Sequence, residues 1–326
     1  MSARIPDYPV KADVDIPEHG TWPASVHRFD ERSAAALRAA EACGRPLLVR
    51  GAPGVGKSQT ARAAAAFGGR PFLSAVIDGR TEPHDLMWRF DAVRRLADAQ
   101  VLQKEQTLPR ELHYVEPQAL WWAYDWKGAK EQRTAHVEPC TPPSGWNPEA
   151  DRAVLLIDEI DKADPDLPNA LLEVLANKGF PVPYGDRQVT CGDATRPLVV
   201  ITTNEERELP NAFLRRCLVL TLELPGDEAA LCSYLVAMGE RHQAFQRRRL
   251  GDDLWPGPCH VLREAAARLW GQREEARRSG SYAPGTAEFL DLANALATLW
   301  PNDAAAQAAA LERLSEFAFD KDQRLA

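Results

Sequence analysis

The stretch GAPGVGKS, residues 51–58, stands between the apolar run PLLV at 46–49 and the alanine-rich TARAAAAF at 60–67. It fits the pattern G-x-x-x-x-G-K-[ST] at Gly51, Gly56, Lys57 and Ser58. Glycines let backbone N–H groups converge on phosphate oxygens, and the helix expected after the loop turns its N-terminus toward the same anion. Lys57 is placed to reach the β- and γ-phosphates, and the Ser58 hydroxyl to bind Mg²⁺. The nucleotide-binding segment is therefore expected to comprise Gly51, Ala52, Pro53, Gly54, Val55, Gly56, Lys57, Ser58 and Gln59. A strand before the loop and a helix after it are the context this motif requires.

Working outward, short apolar runs recur at PFLSAVID (71–78), AVLLID (153–158), LVVITT (198–203) and CLVLTLEL (217–224), separated by helical patterns. Such alternation predicts a parallel sheet covered by helices on both faces. The segment HRFDERSAAALRAAEACG (27–44) predicts an amphipathic helix leading into the first strand. A second helix is expected in ADPDLPNALLEVLANKG (163–179), with Asp164 as N-cap, Pro165 in the first turn and Gly179 as its stop. Between about 79 and 150 the pattern is less regular, with QALWWAYDW and EPCTPPSGWNP marking an insert. After residue 225 the strand signal ends and four helical segments follow, one of which repeats Phe289, Leu292, Leu296 and Leu299 at helical spacing. The fold class is thus α/β: a three-layer αβα P-loop NTPase domain on a five-stranded parallel sheet, followed by a small α-helical domain. The expected division is an N-terminal extension at 1–24, the nucleotide-binding domain at 25–225 and the helical domain at 226–326.

Two further segments carry chemistry. AVLLIDEID (153–161) reads as a buried strand that delivers Asp158 and Glu159 to the carboxyl edge of the sheet, where ligands of such sheets bind. Asp158 is expected to hold Mg²⁺ through water, and Glu159 to activate the attacking water. Asp161 and Lys162 read as a loop or helix start without a catalytic role. LVVITTNEERELPNAFLRRCLVL (198–220) ends a strand on Thr203 and Asn204, whose amide suits both the water and the γ-phosphate. Arg215 and Arg216 follow at the end of a short helix, positioned in a ring to reach a neighbour's site and stabilise charge developing in the transferred phosphoryl group.

A net charge of -8 argues against nucleic acid as the main partner, because such binding needs basic residues to neutralise phosphates. The six cysteines lack zinc-ligand spacing. No apolar run approaches the roughly 20 residues that span a bilayer, and no apolar leader is evident, so a cytoplasmic protein without a membrane segment is expected.

In this order GAPGVGKS, LLIDEID, ITTN and NAFLRRC resemble the Walker A, Walker B, sensor 1 and arginine-finger segments of the AAA+ ATPases. RTEPHDLMWRFDAVRRLADAQ (80–100) and GFPVPYGDRQVT (179–190) resemble the MoxR-like branch, with its insert in the second helix and its hairpin before sensor 1. The resemblance implies ATP and Mg²⁺ at the interfaces of a self-assembled ring, usually a hexamer. It also implies Arg216 as the finger and work on a protein client, often one with a von Willebrand A domain. Relatives place a sensor 2 arginine at the start of a lid helix, where this chain has Glu288. That departure keeps open a nucleotide-dependent scaffold or switch with weak hydrolysis, and a nucleic-acid-dependent ATPase is a third reading. Phe180 and Tyr184 could grip a polypeptide, and Trp121, Trp122 and Trp126 could form a partner surface, but such aromatics more often pack their own insert.

Overall fold

The computed structural model describes residues 5–101, 107–132 and 138–319. The chain divides into two compact units, one of Met1–Val14, His27–Arg50 and Ser58–Thr221, the other of Asp15–Val26, Gly51–Lys57 and Leu222–Ala326. The phosphate-loop segment is thereby grouped with the C-terminal helices.

In the first unit, helix α1 (Glu31–Cys43) begins on a capping box in which the Asp30 carboxylate accepts from Ser33 N–H. It ends on Gly44, whose φ of 58° lies in the left-handed region that glycine enters without a Cβ penalty. Strand β1 (Leu47–Arg50) follows, then helix α2 (Lys57–Gly68) and strand β2 (Phe72–Val76). After the insert come β3 (Val154–Asp158), α3 (Asp166–Asn177), β4 (Leu198–Thr203) and β5 (Leu218–Thr221). All five strands are parallel, in the order β5-β1-β4-β3-β2. Each residue of β3 and β4 is buried, as expected where both faces of a parallel sheet are covered.

Because β1 and β4 are neighbours although their connections run to opposite sides, the sheet has its switch point between them, the position where such sheets bind ligands. The register places Thr203 opposite Arg50, so the chain leaves both strands at one level.

Helix α3 differs from its expected limits. It starts at Asp166 with Pro165 in the capping position, while Lys178, at φ 53°, takes the left-handed cap and donates its N–H to Val174. Gly179 opens a strand instead, Gly179–Val182, which pairs with Arg187–Thr190. A Cβ at Gly179 would meet the Val189 carbonyl oxygen at 2.5 Å, so the glycine serves close strand approach rather than a helix stop.

The insert packs onto the sheet, its tryptophans sharing one core with Leu73, Leu155 and Ile157. Trp121, Trp122 and Trp126 are buried, and Phe180 is 1% exposed. Tyr184 stacks on Phe90 with ring centroids 4.6 Å apart. Trp121, Trp122, Trp126 and Phe180 are therefore packing residues, whereas Tyr184 is half-buried; large apolar rings gain more from burial than from facing water.

Residue 8 is also built into the first unit. The Tyr8 hydroxyl donates to Glu41 Oε1, while Arg70 Nη2 donates to the Tyr8 oxygen at 2.6 Å and to Glu41 Oε1 at 3.0 Å. All three side chains are buried, and burial holds the Tyr8 phenol well above its ordinary pKa. Tyr8→Phe leaves a buried carboxylate and guanidinium each short of one partner, an expected cost of about 1–3 kcal/mol. Denaturant unfolding checks this; an unchanged midpoint would count against the network.

In the second unit, helices α4 (Glu228–Leu250), α5 (Leu262–Ser279), α6 (Thr286–Leu299) and α7 (Ala304–Phe319) enclose a core of Leu231, Leu235, Leu269, Phe289 and Leu296. Leu299, expected on the buried face of α6, is the helix's final residue and is 58% exposed, whereas Leu296 is buried. Among the described residues no helix is long and apolar enough to cross a membrane.

Candidate functional site

The loop after β1 takes its shape from its glycines. Gly51 adopts φ 147°, and a Cβ there would stand 2.3 Å from the carbonyl oxygen of Leu222. Gly54 and Gly56 adopt φ 76° and 95°. The Lys57 ammonium donates to the carbonyls of Gly51 at 2.6 Å and Ala52 at 2.8 Å, folding the lysine back over its own loop. In the same unit the Thr286 hydroxyl donates to the carbonyl of Gly54. Glu288, at the position of the expected sensor 2 arginine, accepts from the Gly285 N–H at 2.8 Å and from the Tyr282 hydroxyl at 2.7 Å. At N3 of α6 it thus caps the backbone N–H of the N-cap residue, a position that favours a carboxylate.

Within the sheet unit, four expected residues meet. The Ser58 hydroxyl lies 2.8 and 3.0 Å from the two carboxylate oxygens of Asp158. Asp158 is 8% exposed at the end of β3 and also accepts from the Thr202 hydroxyl at 2.5 Å. The next residue, Glu159, has φ 62°, which turns the chain sharply and directs its side chain off the strand line. Its Oε1 lies 3.5 Å from Asn204 Nδ2, and its Oε2 accepts from Lys162 Nζ at 2.7 Å. That bond and the adjacent negative charge hold the Lys162 ammonium above its ordinary pKa. Gln59 lies on α2, and Pro53 and Val55 lie in the loop.

Sequence reasoning passed over three groups here. Asp161 is 3% exposed and its Oδ2 accepts from the N–H groups of Asn204 at 3.1 Å and Glu206 at 3.0 Å, so it shapes the turn that presents the Asn204 amide. Lys162 pairs with Glu159 rather than opening α3. Thr202 joins Asp158 and the Glu159 backbone. Its signal is a hydroxyl, one of two with Thr203, that closes a buried run of Leu, Val and Ile, a polar group that burial tolerates only when paired.

Arg215 and Arg216 are exposed, just beyond the short helix Asn211–Leu214. The Arg216 guanidinium donates to the Ala212 carbonyl at 3.3 Å, and the two backbone carbonyls accept from Arg45. Among the described residues neither guanidinium bonds to Asp158, Glu159 or Asn204.

The donor set fits Mg²⁺: a hydroxyl and a carboxylate converge, both hard oxygen ligands of the kind that ion selects. Among the described residues no cluster of three or more His, Cys, Asp or Glu suggests another metal, and the cysteines are free thiols.

A family model described as AAA domain, dynein-related subfamily, matches residues 46–217. No curated protein matches the chain. Among solved structures, a candidate ATPase from Cytophaga hutchinsonii is similar at 16% identity and a TM-score of 0.37, over 88% of this chain and 78% of that one. NtrX from Brucella abortus is similar at 16% identity and a TM-score of 0.39, over 74% of this chain and 51% of that one.

Proposed function

Since the chain belongs to the dynein-related subfamily of AAA domains, and is thereby an ATP-hydrolysing P-loop ATPase, we propose that it is a MoxR-like member that uses ATP and Mg²⁺ in a ring of its own copies to remodel, assemble or activate a protein client. The observation that carries this reading is the placement of Glu159 between Asn204 and Lys162, one residue beyond the Asp158 that meets Ser58. A binding module needs no such carboxylate beside a water-orienting amide; a hydrolase does. The hairpin at Gly179–Val182 and Arg187–Thr190, immediately before β4, supports the MoxR-like branch. The proposal retains the division at 24 and 225, six subunits as the usual ring, and a cytoplasmic setting.

In this mechanism the loop 51–58 wraps the phosphates with its N–H groups and Lys57 moves from its own carbonyls to the β- and γ-oxygens. Ser58 and Asp158 would hold Mg²⁺, which when bound neutralises phosphate charge. Glu159 draws the proton from water as the water attacks the γ-phosphorus, and Asn204 orients that water through its amide. Arg216 from a neighbouring copy stabilises the developing charge.

A second reading, a nucleotide-dependent scaffold, is favoured by one observation: Glu288 caps its own helix where a sensor 2 arginine would touch the nucleotide. Phosphate release by the purified chain separates them. Steady release with Mg²⁺, abolished by EDTA, accompanied by an ATP-dependent rise in mass on light scattering, is the expected result. ATP binding and assembly without phosphate release would favour the scaffold.

A further inference from the structure

We propose that Thr202 is a positioning residue for ATP hydrolysis: its single hydroxyl ties the carboxylate of Asp158 and the backbone carrying Glu159 into one fixed relation. The inference deepens the hydrolytic reading above and rests on it.

Thr202 lies in β4, one residue beyond the Ile201 that pairs with Ile157 of β3, and so stands beside Asp158. It is fully buried. Its Oγ1 donates to Asp158 Oδ1 at 2.5 Å and accepts from the Glu159 N–H at 2.9 Å. An ionised carboxylate only accepts and a backbone N–H only donates, so the hydroxyl proton has one orientation that serves both. Asp158 Oδ1 also accepts from Ser58 at 2.8 Å, which joins Ser58, Asp158, Thr202 and Glu159 into one chain of bonds.

The second half of this bridge matters because Glu159 has φ 62°, a region that residues with a Cβ seldom enter. The bond from its N–H to Thr202 ties the first residue of this turn to the strand, while Asp161 ties the rest of it to the N–H groups of Asn204 and Glu206. Thr203, on the opposite face by strand alternation, performs a separate task by accepting from Glu205 N–H at 2.9 Å. Packing does not require a hydroxyl at 202. Val200 and Ile201 are fully buried in the same strand, and a β-branched apolar residue would fill the position equally well. What the hydroxyl adds is the fixed relation between a metal-site carboxylate and the base, and small misplacements of such groups are costly in rate.

The test uses Thr202→Val, nearly isosteric but without the hydroxyl, and Thr202→Ser, which keeps it. Thr202→Val is expected to lower kcat on the order of 10- to 100-fold with KM for ATP little changed. ATP binding measured in EDTA is expected to match the parent, whereas the gain in ATP affinity on adding Mg²⁺ is expected to shrink. Thr202→Ser should recover most of both. The proposal is overturned if Thr202→Val turns over like the parent with an intact Mg²⁺ effect. It is equally overturned if Thr202→Val loses ATP binding in EDTA, or if Thr202→Ser is as impaired as Thr202→Val, since either marks a purely structural role. Should the parent release no phosphate, the hydrolytic reading fails, and the Mg²⁺ dependence of ATP binding alone then decides for or against Thr202.

Discussion

Arg216→Ala is expected to lower ATP turnover by about 10³- to 10⁵-fold while leaving ATP affinity close to that of the parent, the range found for losing an arginine finger. The expectation follows from where the residue sits. Arg216 is exposed, it immediately precedes the buried Cys217 that leads into β5, and among the described residues its guanidinium is engaged by a single main-chain carbonyl. An arginine so placed contributes little to folding, because an exposed charge without a desolvated partner adds little stability. The proposed ring would use it to complete a site in another copy. Mixing Arg216→Ala subunits with Lys57→Ala subunits is the decisive form of the experiment. In the proposed ring each variant alone is expected to turn over poorly, whereas a mixed ring would contain interfaces with an intact Lys57 on one side and an intact Arg216 on the other. Partial recovery of phosphate release supports action in trans. If Arg215→Ala is dead and Arg216→Ala active, the finger is the preceding residue; if both are active, no finger operates in this chain.

Glu159→Gln is expected to keep ATP binding and lower kcat by about 10²- to 10⁴-fold, the usual contribution of a positioned general base. The amide has nearly the same shape, so the turn at φ 62° and the approach of Asn204 Nδ2 to Oε1 are preserved. What changes is basicity and charge. The neutral amide no longer accepts a proton from water, and its contact with the Lys162 ammonium weakens. The ATP-bound state then persists, which makes the variant suited to capturing a client that binds only that state. Phosphate release equal to the parent's would remove Glu159 from the mechanism.

The parts of the molecule legible in the sequence are those whose signal is local. The strands of the sheet are largely apolar runs because parallel strands are covered on both faces; four of the five fall within the runs at 71–78, 153–158, 198–203 and 217–224, and Leu47–Arg50 extends one residue past 46–49. Phosphate-loop spacing is equally local. Illegible were features made by residues far apart in sequence. Thr202 looks like an ordinary strand residue, and only the neighbouring strand supplies Asp158. Lys162 follows an acidic run and precedes a helix, so local rules assign it to a helix start, whereas the tight turn after Glu159 brings it back onto that carboxylate. Tyr8 finds its partners at positions 41 and 70. The tryptophans were ambiguous for another reason: composition marks them as large apolar groups that want cover but says nothing of whether their own chain provides it. Glu288 shows the opposite case, since a departure from a family pattern becomes an ordinary helix cap once Gly285 is seen three residues before it.

The buried tryptophans also determine what light reports from this protein. Five of the nine indoles, Trp88, Trp121, Trp122, Trp126 and Trp146, belong to the insert. Trp126 stands edge to face with Trp122 and with Trp146, each at 5.0 Å between centroids. Intrinsic emission is therefore weighted toward the insert's interior and not toward the phosphate loop, which contains no aromatic residue. A spectral change on adding ATP would register rearrangement around the insert's indoles or around Trp22, Trp255, Trp270 and Trp300, and Trp126→Phe tells which, giving an optical handle on motion away from the loop.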